Sequence, residues 1–443
     1  MTNLPQYAPA RPGHPSGFEG GTGVFETRRP KGGLVLDILV FVIPCLLFAE
    51  VTIVGRLFAP ELLMLALFPF FLLTRGRVLW TPLPRTIIWL GLLWLIGQVT
   101  TDLIRDTPFN DYARGWAKIG FTLVNFSLLY MLLHDSARRL VIFAAGLAFG
   151  GILDYYISPG LLAEGNPWKF GLGAPLTLLL VVGAQRVFAR RGRLAMPVIL
   201  CAATAIHLAM GFRSLAGICF ITAVYLFFQW RRTQPRFEVS PGRLAILVVL
   251  GVTASMAFVE AYGFAARTGM LGTDAQRKYE VQAANRYGLI LGGRTEILVA
   301  IVAIADSPII GHGSWAKDAE YAALLFELKG YGARARMASR GKRLIPSHSY
   351  LFGAWMEAGI LGAVFWFAVL WLVVRVAAHL HQMPGPLTPL IAFVCFILLW
   401  DVLFSPYGAI GRIFVPYYLV VLLFAWEHLL ALRRERVAVT VSR

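Results

Sequence analysis

Residues 349–375 read SYLFGAWMEAGILGAVFWFAVLWLVVR, and this stretch decides the fold class. Ahead of the closing Arg375 it holds a single charge, Glu357, and it is long enough to cross about 30 Å of hydrocarbon as a helix. Comparable apolar stretches recur at 34–54, 57–74, 86–104, 115–133, 139–157, 172–188, 194–210, 213–229, 244–261, 387–404 and 412–430. A soluble domain cannot bury that many fully apolar segments, and 58% hydrophobic against 15% charged residues over 443 positions agrees. The expectation is an all-α integral membrane protein with about twelve transmembrane helices.

In a soluble protein a net charge of +17 would point to nucleic acid. Here much of it sits in short loops, where it sets topology, so the expected surroundings are membrane lipids and no nucleic acid. Arg28, Arg29 and Lys31 precede the first span; Arg75, Arg77 and Arg85 follow the second; Arg138 and Arg139 follow the fourth. Further clusters follow the sixth, eighth and twelfth spans, the last being Arg433, Arg434 and Arg436. All fall on one side if both termini are cytoplasmic in a bacterial inner membrane. The chain then divides into a Pro/Gly-rich, disordered tail (1–33), nine spans (34–261), a periplasmic loop (262–348), three spans (349–430) and a cytoplasmic tail (431–443). Cys45, Cys201, Cys219 and Cys395 lie in apolar stretches without CxxC spacing and read as small buried hydrophobes.

The 262–348 loop is long, external and still basic, which a positive-inside signal does not explain. Its one apolar run, 297–305, is too short to span and suits an interfacial or re-entrant helix; a second short amphipathic helix falls at 320–328. Arg334, Arg336, Arg340, Lys342 and Arg343 form a run without an acid, read either as a solvated basic loop or as a patch for anionic headgroups or a lipid diphosphate. His348 follows in Pro346-Ser347-His348-Ser349, where Ser347 reads as an N-cap and His348 as a first-turn residue. The helix dipole there disfavours the imidazolium, and a neutral imidazole is what a general base requires; a capping or anchoring histidine is the plainer reading. Arg213 sits at the external turn between two spans, either gripping an anion or snorkelling to the interface. Arg294, in Gly292-Gly293-Arg294-Thr295-Glu296, has the fork geometry for phosphate or a simple ion pair with Glu296. His312 sits in a glycine-flanked, flexible turn, and Trp315 and Tyr321 stack on sugars or anchor in headgroups. His207, inside the seventh span, reads as a satisfied packing residue, and no HExxH, P-loop or GxSxG motif is present.

The ordered set Gly293-Arg294-Thr295, Asp306-Ser307-Pro308-Ile309-Ile310-Gly311-His312-Gly313, Ser347-His348-Ser349 and Glu357-Ala358-Gly359-Ile360-Leu361-Gly362 resembles the O-antigen ligase and polymerase superfamily. In that pattern an arginine opens the motif, P-x-x-G-x-G follows, and a histidine precedes E-x-G-x-x-G. The resemblance implies a GT-C-like, metal-independent inverting glycosyltransferase needing no cofactor. Such enzymes move a glycan from an undecaprenyl-diphosphate-linked oligosaccharide donor to a hydroxyl on a glycan or lipid-linked acceptor at the periplasmic face. Carried over, His348 is the general base and Arg213 and Arg294 hold the diphosphate; Arg340, Arg343, His312, Trp315 and Tyr321 are candidate further substrate contacts on their own chemistry. Ser349 stands where the family often has asparagine. Gly-Gly-Arg-Thr-Glu-Ile leans towards a polymerase of a cell-surface polysaccharide, with polysaccharide-assembly partners; a ligase to lipopolysaccharide core shares the same set. A transporter or flippase for lipid-linked sugar is the rival of another class, and would place ionisable residues in the middle of several spans.

Overall fold

The structure, a computed structural model, describes residues 33–191, 194–230, 260–261, 263–270, 272–273, 276–277, 279–280, 295–329 and 344–441. Its helices, in chain order, are α1 (Gly33–Cys45), α2 (Ala59–Arg75), α3 (Pro82–Ile104), α4 (Phe109–Leu133), α5 (Ala137–Ile157), α6 (Gly173–Arg191), α7 (Ala195–Ala209) and α8 (Arg213–Trp230). After a gap follow α9 (Thr295–Asp306), α10 (Ala319–Leu328), α11 (Tyr350–His379), α12 (Thr388–Phe404) and α13 (Gly411–Val441). Six segments are long and apolar enough to cross a membrane: Ala59–Trp80, Pro82–Ile104, Phe109–Leu133, Ala137–Ile157, Tyr350–Gln382 and Gly411–Glu435. The chain is a helical membrane protein. Shorter apolar helices occupy five more of the expected spans, and span 244–261 lies outside the described residues apart from its last two positions.

The first expected span, 34–54, is corrected. Helix α1 stops at Cys45, a single 3-10 turn follows (Leu46–Phe48), and the chain enters a two-stranded hairpin, β1 (Glu50–Thr52) and β2 (Arg56–Phe58). Glu50 is the cause visible in sequence: its carboxylate accepts from Arg56 Nε at 2.8 Å across the hairpin, a pairing that a continued helix would not allow. The cysteine reading is corrected at one position, since Cys201 is exposed on α7 whereas Cys219 and Cys395 are buried.

Helix α3 packs on α11, α4 on α13, α1 on α5, and α8 on both α7 and α12. Aromatic rings fill the α3–α11 seam, with Trp94 stacked on Phe365 at 5.2 Å and edge-on to Trp366 at 5.6 Å. The sidedness of the bundle follows from Tyr225 on α8, which donates to Ala377 O near the end of α11 at 2.6 Å. That contact puts the Trp230 end of α8 with the His379 end of α11.

Both expected short helices form in the loop. Helix α9 buries Ile297, Val299, Ala300, Ala303 and Ile304, leaving Ile301 and Val302 exposed, and packs on α11. Helix α10 begins at an Asp318 N-cap whose carboxylate accepts from Glu320 N at 2.8 Å.

Helix α11 is broken inside its apolar run at Gly359, whose φ of 63° and ψ of −157° are open to glycine. The break releases peptide groups that the loop 309–313 takes up. His312 N donates to Met356 O at 2.8 Å, Gly313 N to Glu357 O at 3.0 Å, and Ile360 N to Ile309 O at 3.2 Å. Gly311 and Gly313, at φ 88° and 93°, give the loop its shape, and a Cβ on Gly311 would lie 2.6 Å from Gly359 N. The turn at His312 is thus pinned, not flexible as the glycines imply. A Cβ at Gly359 would overlap the Ile309 carbonyl oxygen. Gly359→Ala is therefore expected to cost on the order of 3 kcal/mol, read as a lower midpoint of unfolding in detergent, while Gly183→Ala, with open space around it, leaves the midpoint unchanged.

Candidate functional site

The loop that seals the kink is bound on its other side to α3 and α4 by polar side chains. Asp102, near the end of α3, is buried and accepts from Ser314 N at 2.6 Å, Ser314 Oγ at 2.7 Å and Trp116 Nε1 at 2.8 Å. Gln98, one turn earlier, donates to Ser314 Oγ at 2.9 Å. Thr101 donates to Ile310 O, and Arg105 donates to Gly311 O at 3.1 Å and Ser307 Oγ at 2.8 Å. Residues 98, 101, 102 and 105 lie at helical spacing on one face, which is why one helix grips the whole loop.

Helix α4 supplies a cationic face beside it. Lys118 pairs with Glu357, the acid of E-x-G-x-x-G, whose other oxygen accepts from Trp315 N at 3.3 Å. Lys317 pairs with Asp111, and Arg114, between them on α4, carries its guanidinium 5.3 Å from the Trp315 ring centroid. Further along, Glu61 on α2 and Arg412 on α13 form a buried two-pronged pair at 2.6 and 2.7 Å. Arg412 also donates to Arg56 O, and Asn125 donates to Arg412 O at 2.8 Å, so this pair joins the hairpin, α2, α4 and α13.

His348 is half-buried at the loop end, but not in the first turn. The N-cap is Ser349, whose Oγ accepts from Phe352 N at 3.1 Å and donates to Val402 O of α12 at 2.7 Å. The Ser347 cap is therefore corrected, and His348 precedes the helix, so the dipole argument for its imidazole loses its geometric basis. What faces it electrostatically is Glu296, in the first turn of α9. Burial raises the Glu296 carboxyl, but hydrogen bonds from Lys329 and its own backbone, with the positive charges of Lys329 and His348, outweigh that and hold it below the ordinary glutamate range. Lys329 Nζ lies 2.7 Å from Glu296 Oε1. Arg213 is half-buried at the first residue of α8, after a turn in which Gly211 has φ 74°.

His312 is a structural ligand of the loop. Its Nε2 lies 2.7 Å from Ala303 O and its ring is edge-on to Tyr321 at 5.6 Å. Tyr321 donates to Asp306 at 2.6 Å, and desolvation with that carboxylate raises the phenol further above its ordinary range. Trp315 does project outward, at φ 52°. His207 is satisfied on both nitrogens, by Trp168 Nε1 at 3.0 Å and Thr177 Oγ1 at 2.8 Å. Arg294, Arg334, Arg336, Arg340, Lys342 and Arg343 lie outside the described residues.

Sequence reading passed over Glu61, Asp102, Arg105, Arg114, Lys118 and Arg412. The signal was there: ionisable residues inside or at the edge of apolar spans need a partner or a function. Comparison with family models, with curated proteins and with solved structures gives no match for this chain. What fold and site define together is a class, a helical membrane protein with buried ion pairs between its helices and two short helices in the loop before α11.

Two outcomes follow from the ion pairs. Arg412→Met alone strands a buried carboxylate and is expected to cost about 3–5 kcal/mol, most of it recovered by adding Glu61→Leu, both read from unfolding midpoints. The Glu296 carboxyl is depressed in the folded chain, so its pair with Lys329 contributes fully above the ordinary glutamate value of about 4.3 and is lost as pH falls below it. Protection of the α9 and α10 amides, taken relative to their intrinsic exchange rates, should fall on acidification through that window, and Glu296→Gln should show the lowered protection already at neutral pH.

Proposed function

We propose that this chain is an inverting glycosyltransferase of the polytopic, lipid-carrier-dependent kind. It transfers a glycan from an undecaprenyl-diphosphate carrier to an acceptor hydroxyl at the periplasmic face of a bacterial inner membrane, in polymerisation of a cell-surface polysaccharide. One observation carries the reading. A half-buried histidine stands in the electrostatic field of a carboxylate–ammonium pair where the short helix α9 packs on α11. Arg294 stands two positions before that carboxylate in sequence.

The chemistry asks for this set. The acceptor oxygen attacks the anomeric carbon from the face opposite the diphosphate, and its proton passes to the His348 imidazole. The bond from the anomeric carbon to the phosphate oxygen breaks with its electron pair going to the lipid diphosphate, already an anion, so no acid is needed to expel it. Guanidinium groups of Arg213 and Arg294 neutralise the growing charge. The Glu296 carboxylate stabilises the imidazolium that His348 becomes. Donor and acceptor held at one membrane face meet with much of their translational freedom already lost. Glu61, Asp102 and Arg412 lie near helix ends, which favours this reading over a transporter, whose ionisable groups belong at mid-membrane.

Purified protein in nanodiscs, given an undecaprenyl-diphosphate oligosaccharide, should form glycosidic bonds. His348→Ala should lower turnover by about 10²–10⁴-fold with donor affinity retained, and Arg213→Ala should weaken donor binding as well. Transfer undiminished in His348→Ala would sink the assignment. In membranes of a deletion strain, loss of long chains with single repeats still attached to their final acceptor marks a polymerase. Long chains stranded on the carrier mark a ligase instead.

A further inference from the structure

We infer that Arg114 and Trp315 form a binding subsite for a negatively charged sugar, the ring face meeting the indole and the sugar's carboxylate meeting the guanidinium. The inference deepens the transferase reading and rests on it for taking a glycan as ligand.

The first observation is a cation without a counter-ion. Arg114 is half-buried in the second turn of α4, its Cγ 3.5 Å from the place a Gly55 Cβ would take and its guanidinium beside Trp315. Its Nε is buried with no hydrogen-bond partner, and among the described residues no carboxylate reaches it. Four cations around it are paired with carboxylates, Arg56 with Glu50, Lys118 with Glu357, Lys317 with Asp111 and Arg412 with Glu61, and Arg105 is taken up by Gly311 O and Ser307 Oγ. An Nε withdrawn from water without a partner is costly, and an anion beside the guanidinium offsets that cost.

The second observation is independent. Trp315 has φ 52°, a conformation glycine adopts freely and tryptophan does not, yet its side chain is 39% exposed. The strain is imposed by its neighbours: Ser314 is held on Asp102, and Trp315 N donates to Glu357. The result is a large flat ring presented outward on a rigid mount, with a cation at its face. A phospholipid headgroup offers the same negative charge, but a snorkelling arginine reaches it extended and exposed. Arg114 is instead folded between the hairpin and an indole, which suits a ring-shaped ligand with its charge held alongside.

The test measures binding without turnover, on the full chain in phosphatidylcholine nanodiscs. The probes are a glucuronate-containing oligosaccharide and its neutral glucose counterpart of equal length. The acidic probe should bind more tightly by about tenfold, and less so at high salt. Arg114→Gln should erase the preference while leaving neutral binding in place. Trp315→Gly should weaken both probes while the unfolding midpoint holds or rises, because glycine relieves the strain; this variant decides the matter even if Arg114→Gln fails to fold. Equal affinity for the two probes in the wild type, a preference that survives Arg114→Gln, or undiminished binding in Trp315→Gly overturns the subsite. So does loss of acidic-probe binding when phosphatidylglycerol replaces part of the phosphatidylcholine with salt held constant, which would assign Arg114 to a lipid headgroup. His348→Ala should keep the preference intact, so a wild type that discriminates the probes yet transfers nothing refutes the transferase and spares the subsite.

Discussion

A helix broken within an apolar bundle must find new partners for the peptide groups it releases, because hydrocarbon offers none. In this protein the break is at Gly359, and the partners are the backbone of residues 309–313. Much of the loop end depends on that exchange. The loop can approach only because Gly311, Gly313 and Gly359 lack side chains, and it can stay only because Asp102, Thr101 and Arg105 hold its far side to α3. Helices α3 and α11 are therefore joined twice at this end, by aromatic packing lower down and by a polar seal above it.

The seal has consequences for charge. By fixing Glu357 at the kink it fixes the partner of Lys118 and the orientation of Trp315. By fixing α9 against α11 it brings Glu296 into the field of His348. The His348 imidazole precedes the helix, and the Glu296 carboxylate, paired with Lys329, lies within its electrostatic reach. The buried Glu61–Arg412 pair serves a different purpose, tying the hairpin, α2 and α13 together beside the site. Removing one member of such a pair is far more damaging than removing both, since a lone buried charge has no solvent to turn to.

Hydropathy and loop charge made the membrane class and the positions of most helices legible, because the period and length of apolar runs depend on the solvent and not on tertiary contacts. They misjudged 34–54, where Glu50 and Arg56 meet across a hairpin that no local signal announced strongly. They also passed over Asp102, Lys118, Glu61 and Arg412, whose partners lie far along the chain on other helices. The partners of His312, the Ala303 carbonyl and the Tyr321 ring, were likewise not legible along the chain.

Composition and periodicity alone determined that this is a helical membrane protein, with a basic loop and the motifs P-x-x-G-x-G and E-x-G-x-x-G in order. Only the tertiary structure decided that these two motifs are halves of one device. Their glycines come together because each half carries backbone groups the other can satisfy. Which charges pair was likewise settled in space: partners such as Glu61 and Arg412 are brought together by helix packing, and periodicity along a chain carries no record of what stands opposite it.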